Sequence, residues 1–391
     1  IENPRKRRHF EVMIPTRFAC VVYKVSPLCL SLVLAVLYAQ QLFKPPFPIS
    51  PSAPPIQYLT PLKAGPVKKY KVLVWNTFGL EFLKLHFGDH VMKTCTVSCR
   101  FRHDRRKLRQ SDVLIFQSNY DFWGSLPPYR SPNQAYLLYA MESPHRLPYS
   151  REKMDGVKIN WTLSYRLDAD IVYRHAFKVV RRPIMPTNTS LQTSASHSPR
   201  SRPVVWIVSN CQGYNHREQY VDELKKTIQV DVYGRCGTLQ CKSLDCYEEV
   251  SVHYSFYLAF ENSICKDYST EKLFLPLMHG MVPVVMGGMD YARVAPPGSY
   301  VDFADFKSPS DLGKYLWRVH NTPAEYQRFL DWNRDYAIER PSFGCTVCEG
   351  IHRLFAGPPR HYNNLLSFLA NDAHCSTWQE VLKKKAAAHH D

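Results

Sequence analysis

Short apolar runs separated by amphipathic and turn-rich stretches recur along most of the chain. Lys71-Val-Leu-Val-Trp75, Asp112-Val-Leu-Ile-Phe116, Ala135-Tyr-Leu-Leu-Tyr-Ala-Met141 and Ile171-Val-Tyr173 form a first series. Val204-Val-Trp-Ile-Val208, Gln229-Val-Asp-Val-Tyr233, Phe256-Tyr-Leu-Ala-Phe260 and Val282-Pro-Val-Val-Met286 form a second. Runs this short and continuously apolar predict strands buried on both faces, as in parallel sheets. Between and after them, Glu218–Thr227, Thr270–His279, Ser310–His320 and Ala324–Tyr336 carry helical patterning. Alternating strands and helices predict an α/β fold of two Rossmann-like domains facing a cleft. No internal repeat is visible. The closing run, Lys383-Lys-Lys-Ala-Ala-Ala-His-His-Asp391, predicts a frayed tail.

The N-terminal region has a different texture. Basic residues Arg5 to Arg8, Arg17 and Lys24 precede an apolar run from Leu28 to Ala39. Val21–Phe43 is long enough for a spanning helix, which needs about 20 residues, although it contains Lys24 and Pro27. Positive charge before the span orients the N-terminus to the cytosol and the body to the lumen. A cleaved signal peptide ending near Ala39 is the rival reading. Lys44 to Pro66 carries eight prolines and predicts a stiff, extended spacer. The predicted order is a tail over 1–20, an anchor over 21–43 and a stem over 44–69. An N-terminal domain over 70–182, a linker over 183–203, a C-terminal domain over 204–350 and an extension over 351–391 follow.

Charge and cysteines narrow the compartment and the ligand. The net charge is +16, which suits nucleic acid, an anionic membrane or an anionic substrate. No zinc-finger spacing or RNA-binding signature accompanies the basic clusters, so nucleic acid is not expected. Of 12 cysteines, Cys20 and Cys29 lie in the apolar N-terminal segment. The rest form an even set, as an oxidising lumen favours. Cys95, Cys99, Cys345 and Cys348 have spacings that also fit a four-cysteine zinc site; disulfides are the expectation here. Sequons at Asn160 and Asn188 agree with a luminal body.

The richest chemistry lies at Phe256–Lys272. A buried strand ends in Glu261-Asn262-Ser263, at the strand edge where open α/β sheets bind ligands. A helix starts near Thr270, with Asp267 or Ser269 as predicted cap. Its free N–H groups and Lys272 in its first turn make a cradle for a diphosphate without a glycine-rich loop. An ordinary capped surface helix has the same pattern.

Three blocks extend the pattern: Phe256-Tyr-Leu-Ala-Phe-Glu-Asn-Ser263, Asp267-Tyr-Ser-Thr-Glu-Lys272 and Val282-Pro-Val-Val-Met-Gly287. In this order they resemble the α1,3/4-fucosyltransferases of glycosyltransferase family 10. Tyr291–Phe306, Glu142-Ser-Pro144 and Asn160-Trp-Thr-Leu-Ser-Tyr-Arg-Leu-Asp-Ala-Asp170 are also similar to family members. Pro276-Leu277 departs from the usual pattern and matches divergent, invertebrate-like branches. The resemblance implies the GT-B architecture. It also implies an inverting transfer of L-fucose from GDP-β-L-fucose to N-acetylglucosamine of glycans or glycoproteins. It implies an anchored type II enzyme of the Golgi membrane with a luminal catalytic domain.

The resemblance further implies site roles. Glu142 becomes the general base, the one carboxylate needed when the leaving group is a stabilised diphosphate. Ser209, Asn210, Arg217, Tyr220, Asn262, Tyr268, Glu271 and Lys272 become donor contacts, with Arg217 and Lys272 as the phosphate cations. Cys95 and Cys99 pair with Cys345 and Cys348. The triplet Asp168-Ala-Asp170 has no metal role, and no cofactor is required, a divalent ion being at most stimulatory. An inactive glycan- or nucleotide-binding relative, a protein O-fucosyltransferase and a transferase using another nucleotide sugar are the alternatives. The acceptor loops are expected between Arg100 and Arg109 and between Phe122 and Pro132.

Overall fold

Two parallel sheets carry the chain, and each sequence series of apolar runs supplies one of them. The computed structural model describes residues 68–76, 80–118, 126–146, 157–175, 177–183 and 200–388. These all belong to one compact unit, Ser52–Asp391. The predicted tail, anchor, nearly all of the stem, most of the linker and Asn188 lie outside the described residues. No helix among the described residues is long and apolar enough to cross a membrane.

The first sheet contains β1 (Lys71–Val74), β2 (Arg100–Arg102), β3 (Val113–Gln117), β4 (Ala135–Ala140), β5 (Trp161–Ser164) and β6 (Ile171–Val172). Their order is β2-β1-β3-β4-β5-β6, parallel throughout. β7 (Lys178–Arg181) leaves this lobe. The second sheet contains β8 (Arg202–Ile207), β9 (Val230–Tyr233), β10 (Tyr254–Phe260), β11 (Val282–Met286) and β12 (Val301–Asp302). Its order is β12-β11-β10-β8-β9, again parallel. β10 is central and buried at every position, as its unbroken apolar run requires.

Several expectations change. Arg100–Arg102 is an edge strand and Arg105–Gln110 a 3-10 helix, so the predicted loop after Arg100 is mostly ordered structure. The predicted helix Ala324–Tyr336 ends at Arg328. Beyond it lie a 3-10 turn, Asp331–Arg334, and β13 (Tyr336–Glu339). β13 pairs antiparallel with β7, so a ribbon joins the two lobes. The helix Phe343–Ala356 packs Phe343, Val347, Cys348 and Ile351 into the core of the first sheet rather than the second. Two disulfides fix it there, Cys95–Cys345 and Cys99–Cys348. The described cysteines also pair as Cys211–Cys236, Cys241–Cys246 and Cys265–Cys375.

The tail expectation is overturned as well. Lys383–Ala388 is the end of a helix, Trp378–Ala388. Trp378, Val381 and Leu382 pack on the core of the second lobe, and Lys385 pairs with Asp305 at 3.0 Å. Just before it, Leu365, Phe368 and Leu369 fill the core of the first lobe. The C-terminal segment therefore straps one lobe to the other.

Candidate functional site

The C-terminal ends of β4 and β10 meet across the lobes. Met141 follows β4 and shares a buried cluster with Tyr165, Cys265 and Tyr268. The next residue, Glu142, is half-buried. It stands within electrostatic reach of Tyr139, Tyr165 and Tyr268, whose hydroxyl ionisation is pushed up first by burial and then by this and other neighbours. Ser143 Oγ meets Ser263 Oγ at 2.9 Å, fully buried, and His145 Nδ1 lies 3.3 Å from the same hydroxyl. His145 also stacks on Tyr214 at 4.5 Å. Glu142 therefore lies one residue from the contact between the ends of β4 and β10.

On the donor side a buried ionic cluster caps β10. Thr270, not Asp267 or Ser269, is the N-cap of the helix Glu271–Met278. Glu261, with a side chain 2% exposed, accepts from Thr270 N at 2.7 Å and from Thr270 Oγ1 at 2.9 Å. Lys272 Nζ reaches Thr270 Oγ1 at 2.8 Å, Glu271 Oε1 at 3.0 Å and Glu261 Oε2 at 3.3 Å. Burial raises the Glu261 carboxyl, against the pull of Lys272. Burial also opposes the Lys272 charge, yet Glu261 and Glu271 hold its pKa above that of ordinary lysine. For Glu271 burial is outweighed by Lys272 and His175, which bring it down to about 2. Lys272 remains charged and partly open to solvent, with a side chain 24% exposed.

The loop between strand and helix is held from both lobes. Asp267 adopts φ 60, and its Oδ2 accepts from Leu167 N at 3.0 Å. Lys266 Nζ meets Asp168 Oδ2 at 2.8 Å. A Cβ at Gly288 would lie 1.8 Å from the Cys265 carbonyl oxygen, so only glycine admits this approach. Tyr268 is 3% exposed and meets Tyr165 edge-on at 4.9 Å.

The other predicted donor residues divide. Ser209 is exposed, and its carbonyl accepts from Arg235 Nη2 at 2.8 Å. Asn210 Nδ2 and Asn262 Oδ1 are buried without hydrogen-bond partners among the described residues. Arg217 is 2% exposed; it donates to Phe260 O at 2.5 Å, Asn210 O at 2.8 Å and Glu218 Oε1 at 3.2 Å. It therefore sits behind the strand ends and fixes them. Tyr220 is a correction. At 0% exposure it packs edge-on against Phe260, Phe303 and Trp378, inside the core of the second lobe.

Two further expectations meet the structure nearby. Asn160 Oδ1 accepts from Tyr136 N at 2.8 Å and from Arg130, and its Nδ2 donates to Arg360 O at 3.0 Å. Thr162 is 1% exposed and bonded to Asp170. An amide engaged in the fold through both of its polar atoms argues against the sequon reading at Asn160. Asp168 binds Arg166 and Lys266, whereas Asp170 accepts from Thr162, Tyr362 and Arg360. Both carboxylates therefore have internal partners. His175, not singled out by sequence, also reaches this region: its ring bonds the Met141 carbonyl and feels Glu271 and Lys272.

Comparison with known proteins places this geometry. Residues 67–176 match the family termed fucosyltransferase, N-terminal, and residues 197–367 match glycosyltransferase family 10 (fucosyltransferase). An alpha-(1,3)-fucosyltransferase C of Drosophila melanogaster is 35% identical over 280 residues, 66% of this chain and 65% of its own length. A glycoprotein 3-alpha-L-fucosyltransferase A of the same organism is 30% identical, covering 80% of this chain and 63% of its own. The chain therefore spans under two thirds of these two relatives. A 4-galactosyl-N-acetylglucosaminide 3-alpha-L-fucosyltransferase 9 of Mus musculus is 32% identical, covering 72% of this chain and 77% of its own. A solved alpha1,3-fucosyltransferase with GDP-fucose shares 17% identity, with TM-score 0.48, over 70% of this chain and 84% of its own. With both of its halves matched, the chain belongs to glycosyltransferase family 10, the fucosyltransferases.

Proposed function

We propose that this protein is an inverting α1,3-fucosyltransferase that moves L-fucose from GDP-β-L-fucose to N-acetylglucosamine of a glycan. The observation that carries the reading is the contact of the β4 and β10 ends through Ser143 Oγ and Ser263 Oγ at 2.9 Å, beside which Glu142 and the Glu261–Glu271–Lys272 cluster both act on the buried Tyr268. Lys272 and the N-terminus of the helix Glu271–Met278, in whose first turn it lies, receive the diphosphate. Arg217 holds the Asn210 and Phe260 carbonyls that shape the same edge. Glu271, ionised beside Lys272, accepts hydrogen bonds from sugar or ribose hydroxyls.

Glu142 removes the proton of the acceptor hydroxyl as its oxygen attacks the anomeric carbon. The carbon–phosphate oxygen bond breaks, GDP departs with its charge held by Lys272, and the anomeric configuration inverts. General-base catalysis of this kind contributes about 10²–10⁴-fold. The two parallel-sheet lobes around this edge suit a GT-B transferase, and five disulfides among the described residues suit a Golgi lumen. The apolar segment Val21–Phe43 and proline-rich stem supply a type II anchor and spacer in this reading.

A donor panel tests it. Labelled GDP-fucose, GDP-mannose and UDP-sugars are offered with an N-glycan and a lactosamine-type acceptor, and the product linkage is read by NMR. Transfer of fucose alone in α linkage is expected. Use of another sugar, or GDP binding with no turnover on any acceptor, would overturn the reading.

A further inference from the structure

The His175 ring is an interlobe contact to which the mechanism above gives no role. His175 follows β6 at φ 47, in the left-handed region that costs a non-glycine residue about 1–2 kcal/mol. His175 N donates to Tyr173 O at 3.1 Å and Phe177 N to Arg174 O at 3.0 Å, closing a tight turn around it. The turn stands where the lobes meet, with Phe177 stacked at 5.0 Å on Phe274 of the helix Glu271–Met278. One ring nitrogen donates to the carbonyl of Met141, the residue before Glu142. From the other lobe, Glu271 and Lys272 act on the same ring.

The remaining nitrogen is the informative atom. Nε2 is buried and has no hydrogen-bond partner among the described residues. With the proton of the neutral ring committed to Met141, Nε2 presents a lone pair and can only accept. Burial, helped by Lys272 and opposed by Glu271 and the Met141 carbonyl, lowers the imidazole to about 4, so the ring is neutral at physiological pH. A buried acceptor left unpaired costs about 1–3 kcal/mol. The nearby Glu271 carboxylate is likewise an acceptor, with Lys272 as its side-chain donor. Two acceptors at one edge call for a ligand rich in hydroxyl donors.

We propose that His175 Nε2 accepts a hydrogen bond from one hydroxyl of the transferred sugar, beside the contact made by Glu271. Through the Met141 carbonyl the same ring ties sugar recognition to the strand end that presents Glu142. This rests on the fucosyltransferase reading of Glu142 and Glu271.

The test uses the full chain with GDP-fucose and with analogues each lacking one ring hydroxyl. His175→Asn keeps a residue that tolerates the left-handed backbone, and His175→Gly removes the strain along with the ring. In the wild type, one analogue should lose about 10–100-fold in kcat/KM. In both variants GDP-fucose should fall to the level of that analogue, and the analogue itself should lose no further. Equal losses on every donor would mark a purely structural role and overturn the proposal, as would wild-type kinetics in both variants. A wild-type chain that transfers nothing from GDP-fucose would overturn the underlying reading and this contact with it.

Discussion

Replacing Lys272 by methionine isolates the electrostatics of the donor edge. Lys272 Nζ lies 3.0 Å from Glu271 Oε1 and 3.3 Å from Glu261 Oε2. Its removal leaves Glu261, 2% exposed, with Thr270 N and Oγ1 as its donors. Breaking a buried pair on one side costs about 3–5 kcal/mol. The 24% exposure of Lys272 and the Thr270 donors place the loss at the lower end, about 3 kcal/mol. The sign of its pH dependence follows from Glu261. Its folded pKa is raised by burial, and losing Lys272 raises it further. Stability held by such a group is present below its unfolded pKa and lost as pH rises through the folded value. The deficit should therefore be largest at about pH 8 and shrink toward about pH 5. Glu271, whose folded pKa is depressed to about 2, loses its contribution only as pH falls below its ordinary 4.5, outside that window. Urea unfolding under non-oxidising, non-reducing conditions, followed by tryptophan fluorescence, measures the deficit. Adding Glu261→Gln should recover most of it and flatten the pH profile. A deficit under about 1 kcal/mol, or one that grows on acidification, would show that Lys272 does not hold the buried Glu261 charge.

Tyr220→Phe should leave GDP affinity unchanged and stability within about 1 kcal/mol, because its buried hydroxyl has no partner among the described residues; calorimetry showing weakened GDP binding would return Tyr220 to the site. Peptide mass spectrometry of the chain expressed through a secretory pathway should find Asn160 unmodified, whereas Asn160→Ala should destabilise it by about 1–3 kcal/mol through the orphaned Tyr136 N–H and Arg130. Chelation by EDTA should leave the transfer rate within about 2-fold, since Asp168 and Asp170 are held by internal cations and hydroxyls; abolished activity restored by a divalent ion would contradict this.

The strands were legible because burial on both faces writes them as unbroken apolar runs, as in Val282–Met286. β5 was not read as a strand because Trp161-Thr-Leu-Ser164 mixes polar and apolar residues; Thr162 and Ser164 are buried by hydrogen bonds to Asp170 and Ala140 instead. The β7–β13 ribbon joins Lys178–Arg181 to Tyr336–Glu339, and no local pattern encodes such a long-range pairing. At the site, Glu142, Glu271 and Lys272 were accessible through their blocks, whereas side-chain direction was not. Tyr220 and Asn160 are polar residues that tertiary packing turned inward. His175 left no signal, because a positive φ on a histidine is visible only in three dimensions.

In the proposed mechanism Glu142 takes the acceptor proton opposite a donor held by Lys272. Its most direct measurement is single-turnover transfer of labelled fucose from saturating GDP-fucose by the wild type and by Glu142→Gln, with GDP affinity measured in parallel. A rate lower by about 10²–10⁴-fold in the variant, at unchanged GDP affinity, is expected. A variant that transfers fucose as fast as the wild type would contradict it.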